Sequence, residues 1–351
     1  MMPFTLICIL IMLALLLTTA PRVWLLYRYT RPKIGPIKTM LTWEAGIVAL
    51  LLLGTIIPTV WPQGCAHPKP ILNSGPPACV SGAITLGGST ALQSLMGKVA
   101  ASYEQQCPEA SITVINSTNQ TGTQNNDINK SEAGLDSVED GSINIGTSDT
   151  FATSDKSDLV DHEIAASVFV VILNRDVQIT NLTTNQIKGI YAGKYKNWQE
   201  LGGPDLPIRP LSRGSGSGTR FTFDTYILGA HELVPQPSPI LDTGTMITDV
   251  QKTAGSIGYA DLYDVSVNPQ PLLQVSIDGV PASAFTVNSN NYKFWTVEHM
   301  YTKGPAVGLT QAFIDYMGNN SARQIMQNSS FIDIYSMPNS SLSERCPING
   351  S

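Results

Sequence analysis

The nine residues Ser212-Arg213-Gly214-Ser215-Gly216-Ser217-Gly218-Thr219-Arg220 constrain the fold more than any other stretch of this chain. A short apolar run, Leu206-Pro207-Ile208-Arg209-Pro210-Leu211, leads into them. Phe221-Thr222-Phe223-Asp224-Thr225-Tyr226-Ile227-Leu228, which can continue as a helix, follows. Glycines at 214, 216 and 218 let the backbone turn tightly and approach a ligand with no Cβ in the way. Ser217 or Thr219 can supply a hydroxyl, and the first N–H groups of the next helix have no intrahelical partner. The stretch is therefore built as an anion seat, with Arg213 placed to grip the anion's oxygens. The bland alternative is a Gly/Ser-rich surface loop with two solvated arginines. No Gly-Lys-Ser/Thr closes the stretch, which excludes a nucleotide-type phosphate loop.

A second turn has the same construction. Ala83-Ile84-Thr85-Leu86 reads as a strand, Gly87-Gly88-Ser89-Thr90 as a turn, and Leu92, Leu95, Met96, Val99 and Tyr103 recur at helical spacing until Pro108. Ser89 either helps to seat an anion or merely caps the helix. Ser111-Ile112-Thr113-Val114-Ile115 is the next strand, followed by a polar loop that includes Ser117, Thr118 and Asn119. Residues 142–149 read as a strand with a polar tip, and the unbroken apolar run 166–173 as a strand buried on both faces. A helix is expected over 183–191 with Thr183 or Thr184 as its cap. A short strand is expected over 255–260, and at least one helix within 306–327. Strands alternating with helices predict an α/β domain with a parallel, doubly wound sheet.

Two uncharged apolar runs, residues 3–20 and 45–60, precede all of this. Both approach the length that crosses a bilayer, and Trp43 and Trp61 flank the second as interfacial anchors do. Between them lie Arg22, Arg28, Arg31, Lys33 and Lys38, so the positive-inside rule puts this loop in the cytoplasm and everything after Trp61 outside. Two rival readings are a cleaved signal peptide for the first run, which lacks a basic segment ahead of it, and a lipid on Cys65, whose preceding Pro62-Gln63-Gly64 is a poor lipobox. Residues 65–82, rich in proline and small side chains, read as a linker.

Of 21 basic and 27 acidic side chains, the loop cations and Glu44 take five and one, leaving an acidic external portion. That balance argues against nucleic acid as a partner, and any anion site here must work through local donors and dipoles. Cys65, Cys79, Cys107 and Cys346 fall where disulfides persist, so at least one bridge is expected among them, with three possible pairings. No CxxC spacing is present and the four histidines are scattered, so neither a metal nor any other cofactor is expected.

The order Gly-Ser-Thr-Ala (88–91), Asn-Ile-Gly-Thr-Ser-Asp (144–149), Gly-Lys-Tyr-Lys-Asn-Trp (193–198), Arg-Gly-Ser-Gly-Ser-Gly-Thr-Arg (213–220) and Gly-Ser-Ile-Gly-Tyr (255–259) resembles the phosphate-binding proteins of phosphate ABC transporters. These are type II periplasmic binding proteins, and the resemblance runs from about Ala83 to about Tyr335. It implies a two-lobed α/β fold, here following the two expected N-terminal transmembrane helices, an anchor unusual for a family typically secreted or lipid-anchored. The anchor would occupy residues 1–64 and the binding domain 83–336, with a tail from 337 to 351. Lobe 1 would span about 83–168 and 262–336, and lobe 2 about 169–261. The resemblance further implies that phosphate is held by Ser89, Thr90, Ala91, Asn119, Asp149, Arg213, Ser217, Gly218 and Thr219. Thr90 and Ala91 would donate from the first helix, and Asp149 would be a buried carboxylate. Asn119 stands where the family has a donating serine, and Gly214-Ser215 stands where some relatives carry an acid.

The implied activity is extracytoplasmic capture of inorganic phosphate at the cell membrane, with the cleft closing by hinge motion and the closed form docking on permease subunits. Catalysis is not expected, because the site set has no His–nucleophile pair and no metal cluster. The alternatives are the same fold binding sulfate or molybdate, a receptor module that senses a ligand without transport, and an enzyme acting on phosphate esters.

Overall fold

The computed structural model describes residues 67, 71–115, 128–229, 239–268 and 272–346. The two apolar runs, the basic loop, Cys65 and the Ser117–Asn119 loop lie outside the described residues. Among the described residues no helix is long and apolar enough to cross a membrane.

The first part of the chain runs β1 (Gly82–Gly88), α1 (Gln93–Gln106), β2 (Ala110–Val114), α2 (Ser131–Glu139), β3 (Ile145–Ser148) and β4 (Leu159–Leu173). The apolar stripe of α1 turns Leu95, Met96, Val99, Ala100 and Tyr103 into the core. The helix stops at Cys107, just before Pro108. The second part runs β5 (Asn181–Leu182), α3 (Thr184–Tyr191), β6 (Arg209–Pro210), α4 (Gly218–Phe223), α5 (Thr243–Lys252), β7 (Ser256–Asp261), α6 (Leu262–Ser266), β8 (Leu273–Ile277) and α7 (Ala284–Asn288). Thr183 caps α3 in a capping box with Gln186. The chain then forms β9 (Trp295–Lys303), α8 (Gly308–Tyr316), α9 (Asn320–Asn328) and β10 (Ile332–Asp333).

The sheet is mixed, which corrects the expectation of a parallel one. β1 pairs in parallel with β2 and β3. β9, however, inserts antiparallel between β3 and β4, and β4 pairs antiparallel with β7 and β8. The reason is connectivity: β9 enters the first sheet from the second lobe rather than from a helix crossover, so nothing forces it parallel. The helical periodicity of the flanking segments carries no information about that return.

β4 belongs to both lobes. Its residues 159–168 pair with β9 in the first sheet, and 169–173 pair with β7 in the second. The second lobe extends further along the chain than about residue 261. β8 pairs with Val171, Ile172 and Leu173, and Val275, Ile277, Val287, Tyr292 and Phe294 share a core with Phe169, Phe223 and Tyr259. The return to the first lobe comes at β9. A separate core holds α1, α8 and α9 against β1.

Cys79 and Cys107 are joined in a disulfide across 28 residues of chain, and Cys346 is disulfide-bonded as well. Closing a loop of that length restricts the unfolded chain by about 3–4 kcal/mol. The double substitution Cys79→Ser with Cys107→Ser is expected to lower stability by roughly that amount, measured by urea unfolding. An unchanged midpoint would show that the bridge contributes nothing.

Candidate functional site

The loop after β6 crosses the floor of the second lobe and turns back into α4. Pairing of Arg213 with Ile240 and a hydrogen bond from the Arg213 N–H to the Tyr259 hydroxyl, 3.1 Å, fix the backbone where the arginine leaves it. The side chain is buried, with 2 % of the residue exposed. Its Nη2 donates to the Leu241 carbonyl at 2.8 Å and to Thr90 Oγ1 at 3.3 Å. Nη1 reaches Thr243 Oγ1 at 3.5 Å, while the buried Nε has no hydrogen-bond partner. Among the described residues no carboxylate forms an ion pair with this guanidinium. Burial lowers its pKa against the pull of Tyr259, Asp149 and Asp242. A buried, unpaired cation is costly, and an anion placed against it removes that cost.

Asp149 follows β3 in the first lobe and is 1 % exposed. Its backbone is pinned by an N–H bond to Ser131 Oγ, 3.1 Å, and by Thr296 Oγ1 donating to its carbonyl, 2.9 Å. Oδ2 accepts from Thr219 Oγ1 at 2.8 Å, whereas Oδ1 is buried and has no partner in hydrogen-bond geometry among the described residues, although the Ser89 hydroxyl and the Glu298 carboxyl stand close enough to act on the group. Burial pushes the carboxyl's pKa up, with the hydroxyls of Ser89 and Thr219 and the charge of Arg213 working the other way. Glu298 is also fully buried, and burial together with the charge of Asp149 holds its pKa well above the usual carboxylate range.

The glycine at 218 is dictated by lobe contact. A Cβ there would lie 2.5 Å from Ser131 Oγ and 2.7 Å from Asp149 Cβ, so no other residue lets the α4 turn meet the first lobe. Ser217 caps α4 by accepting from the Arg220 N–H. Nearby, the Glu132 N–H donates across the cleft to the Gly216 carbonyl at 3.1 Å. The other turn is equally tight. Gly88 has φ 138°, and a Cβ would meet the Thr147 carbonyl at 2.1 Å. Ser89 Oγ accepts from the Ala91 N–H at 3.2 Å, so the serine caps its own turn. Thr90 Oγ1 bonds Thr243 Oγ1 at 2.9 Å, joining the lobes beside Arg213.

Of the residues expected at the site, Asp149, Ser217 and Gly218 line one cavity; Thr219 bonds Asp149 and Arg213 bonds Thr90, Ser89 and Ala91 are buried on the turn before α1, and Asn119 lies outside the described residues. The cavity measures about 560 Å³, with Asp149, Thr150, Phe151, Ser217, Gly218 and Arg220 among its walls. Arg213 and Thr90 do not line this cavity; they are buried. Thr243, Tyr259, Thr296 and Ser131 hold these groups in place and were not singled out from the sequence for any role. Tyr259 sits inside the Gly-Ser-Ile-Gly-Tyr motif, which was the one available signal. Chemically, the cleft offers a cation, hydroxyl and helix N-terminal donors, and one acceptor-only carboxylate oxygen.

Comparison with known proteins gives a consistent picture. Residues 73–320 match the model of the PBP superfamily domain. The phosphate-binding protein PstS of Bacillus subtilis is 34% identical over 263 residues, covering 73% of this chain and 82% of that protein. Among solved structures, a putative phosphate ABC transporter substrate-binding protein with bound phosphate from Clostridium perfringens superposes with TM-score 0.64 at 26% identity, covering 72% of this chain and 100% of the other. An ABC-type phosphate transport receptor from Vibrio cholerae shares the fold, with TM-score 0.56 at 22% identity over 72% of this chain and 100% of that one.

Proposed function

This chain belongs to the PBP superfamily, and on that premise we propose that it captures inorganic phosphate outside the cytoplasm and hands it to an ABC permease. The observation that carries the proposal is the pairing of a buried guanidinium lacking a carboxylate partner with a buried carboxylate whose Oδ1 has no partner in hydrogen-bond geometry among the described residues. Arg213, the first N–H groups of α4 and the hydroxyls of Thr90, Ser217 and Thr219 would hold the phosphate oxygens. Asp149 Oδ1 would accept the hydrogen that phosphate retains at neutral pH. Ser89 and Ala91 shape the opposite wall, and Asn119 stands for the donor expected on the second loop. The Bacillus subtilis relative and the phosphate-bound neighbour support this reading. No step of it is catalytic.

Equilibrium dialysis of the purified full-length chain with phosphate tests the proposal. Saturable binding of one phosphate per chain, not displaced by excess sulfate, is expected. Equal competition by sulfate or molybdate would assign another oxyanion to the cleft. Loss of phosphate uptake in cells lacking this chain is the expected result for delivery; normal uptake would point to sensing.

The same proposal places the chain at the cell membrane. The two apolar runs would span it, the basic loop would face the cytoplasm, and residues from 65 onward would lie outside. A cysteine introduced near Asn349 is expected to react with an impermeant thiol reagent on intact cells, and one near Gly35 is not. The reverse labelling pattern would overturn this topology.

A further inference from the structure

Glu298 is a buried acid to which the phosphate site gives no role. It stands on β9, where Ser148 pairs with His299, so the next residue, Asp149, comes beside Glu298 on one face of the sheet. Thr296, two residues back on that face, donates its Oγ1 to the Asp149 carbonyl at 2.9 Å and fixes this placement. Glu298 is 0 % exposed. The groups that act on it are the Asp149 and Asp261 carboxyls and the Ser167 hydroxyl, none of them cationic. Asp261 caps α6 by accepting from the Tyr263 and Asp264 N–H groups, and Asp264 accepts from Ser94 Oγ at 2.7 Å. The other charged groups around β9 are engaged elsewhere. His299 bonds Asp161, Glu163 bonds His67, and His162 lies against Thr302. Glu132, Asp136 and Glu139 of α2 pair with Lys130 and Lys156 toward solvent.

We propose that Glu298 is a protonated carboxylic acid that donates its hydrogen to Asp149, and that this bond holds Asp149 as the ionised acceptor through which phosphate is told from sulfate. The inference rests on the function proposed above and adds a positioning residue to it. Two carboxylates this close in a dry interior cannot both ionise, so the pair keeps a proton between them. The surroundings decide where it sits. Thr219 Oγ1 donates to Asp149 at 2.8 Å, and the Ser89 hydroxyl and the charge of Arg213 favour its ionised form too. Glu298 has the Ser167 hydroxyl and no cation acting on it. The negative charge therefore settles on Asp149 and the proton on Glu298, since a carboxylic acid in an apolar site keeps its hydrogen at neutral pH. A carboxylate has about four lone-pair positions, so Asp149 can accept from Thr219, from Glu298 and from the ligand at once. The competing accounts are an ionised Glu298 and a neutral side chain that only fills space.

The experiment uses the full-length chain in detergent and reads sulfate competition against bound phosphate as a function of pH. Selectivity in the wild type is expected to fall in acid, as Asp149 takes up its own proton. Glu298→Leu removes the donated hydrogen, so the fall should come at a pH higher by about one unit or more. Glu298→Gln keeps an N–H donor in the same shape and should lose selectivity near the wild-type pH. An ionised Glu298 would give the opposite result: both variants would lose selectivity at lower pH, because a repelling charge is gone. An unmoved pH in Glu298→Leu would leave only packing. Either result overturns the proposal, and near-ultraviolet circular dichroism reports that the variants fold. At neutral pH the wild-type infrared spectrum minus that of Glu298→Gln should show the carbonyl stretch of a carboxylic acid. A carboxylate band in its place would overturn the proposal with no anion bound, even where Glu298→Leu does not fold. A wild type that prefers phosphate to sulfate at no pH sinks the function proposed above and takes this role with it. Variants that depart from the stated shifts sink the role of Glu298 alone.

Discussion

Arg213→Ala should weaken phosphate binding by at least about a hundredfold. Each hydrogen bond to a charged partner contributes about 1.5–3 kcal/mol, and a guanidinium gripping an oxyanion makes two of them. The side chain is buried by the protein itself, so the cost of stripping its water falls on the fold rather than on binding. Arg213→Lys keeps the charge but loses the planar fork, so one ammonium cannot serve both the Nη2 partners, Leu241 and Thr90, and the Nη1 partner, Thr243, while also gripping two oxygens of the anion. It should fall between the wild type and the alanine variant. Arg220→Ala is the control. Its side chain is 32 % exposed and pairs with Asp224 at 3.3 Å, while Nη1 supports the Arg213 carbonyl at 3.0 Å. It acts on the loop rather than on the ligand, so its effect should stay below about tenfold. Calorimetric titration of all three variants tests the ordering, and equal losses for Arg213→Ala and Arg220→Ala would remove Arg213 from direct contact.

Asp149→Asn should change which anion is bound more than how tightly phosphate is held. A carboxylate beside a bound anion repels any fully ionised ligand, and more strongly as water leaves the cleft. It suits a ligand that brings a proton. Phosphate near neutral pH carries at least one hydrogen and can donate it to Oδ1, which has no partner in hydrogen-bond geometry among the described residues; sulfate has none to give. The amide of asparagine donates as well as accepts, so the gap between phosphate and sulfate should narrow in the variant by about tenfold or more. Acid should do the same to the wild type. Burial raises the Asp149 pKa, so as pH falls through that raised value the carboxyl takes up a proton of its own and can serve sulfate. The variant should lack this pH dependence. Competition binding across pH tests both statements, and unchanged selectivity in Asp149→Asn would exclude the carboxylate as the discriminating group. Stability offers an internal check. A carboxyl with a raised folded pKa weakens the fold as pH rises above its unfolded value. Asp149→Asn should therefore be no less stable than the wild type at neutral pH, and a shift in selectivity cannot be blamed on unfolding.

The site was legible where chemistry and backbone demand coincide in a short stretch. Gly218 is forced by contact with Ser131 and Asp149, Ser217 by the cap it provides, and Arg213 stands at the head of the same stretch. Such residues announce themselves locally. Thr243 and Thr296 do not. Each does its work through one hydroxyl aimed at a partner far along the chain, Thr90 and Asp149 respectively, and a lone threonine looks the same at any helix start or strand. The sheet's mixed character was hidden for a related reason. β9 pairs with β4 at a separation of over a hundred residues, and hydrophobic periodicity specifies that a strand is buried without specifying its direction. The cluster of Asp161, Glu163 and His299 is the extreme case. His299 stands over a hundred residues from the two carboxylates along the chain, and only the strand register brings the three together.

β4 and β9 cross between the lobes side by side. Val168 is paired with Trp295, and the Phe169 N–H donates to the Phe294 carbonyl at 3.0 Å. The junction is thus a hydrogen-bonded two-stranded ribbon, and its mechanics follow from that. Splaying such a ribbon breaks its rungs, whereas twisting it leaves them intact, so torsion is the compliant direction and all others are stiff. The gap between the lobes is then described by a single angle. On the function proposed above, a permease gripping both lobes would need to sense nothing of the anion itself, because occupancy would reach it as a rotation of one lobe against the other.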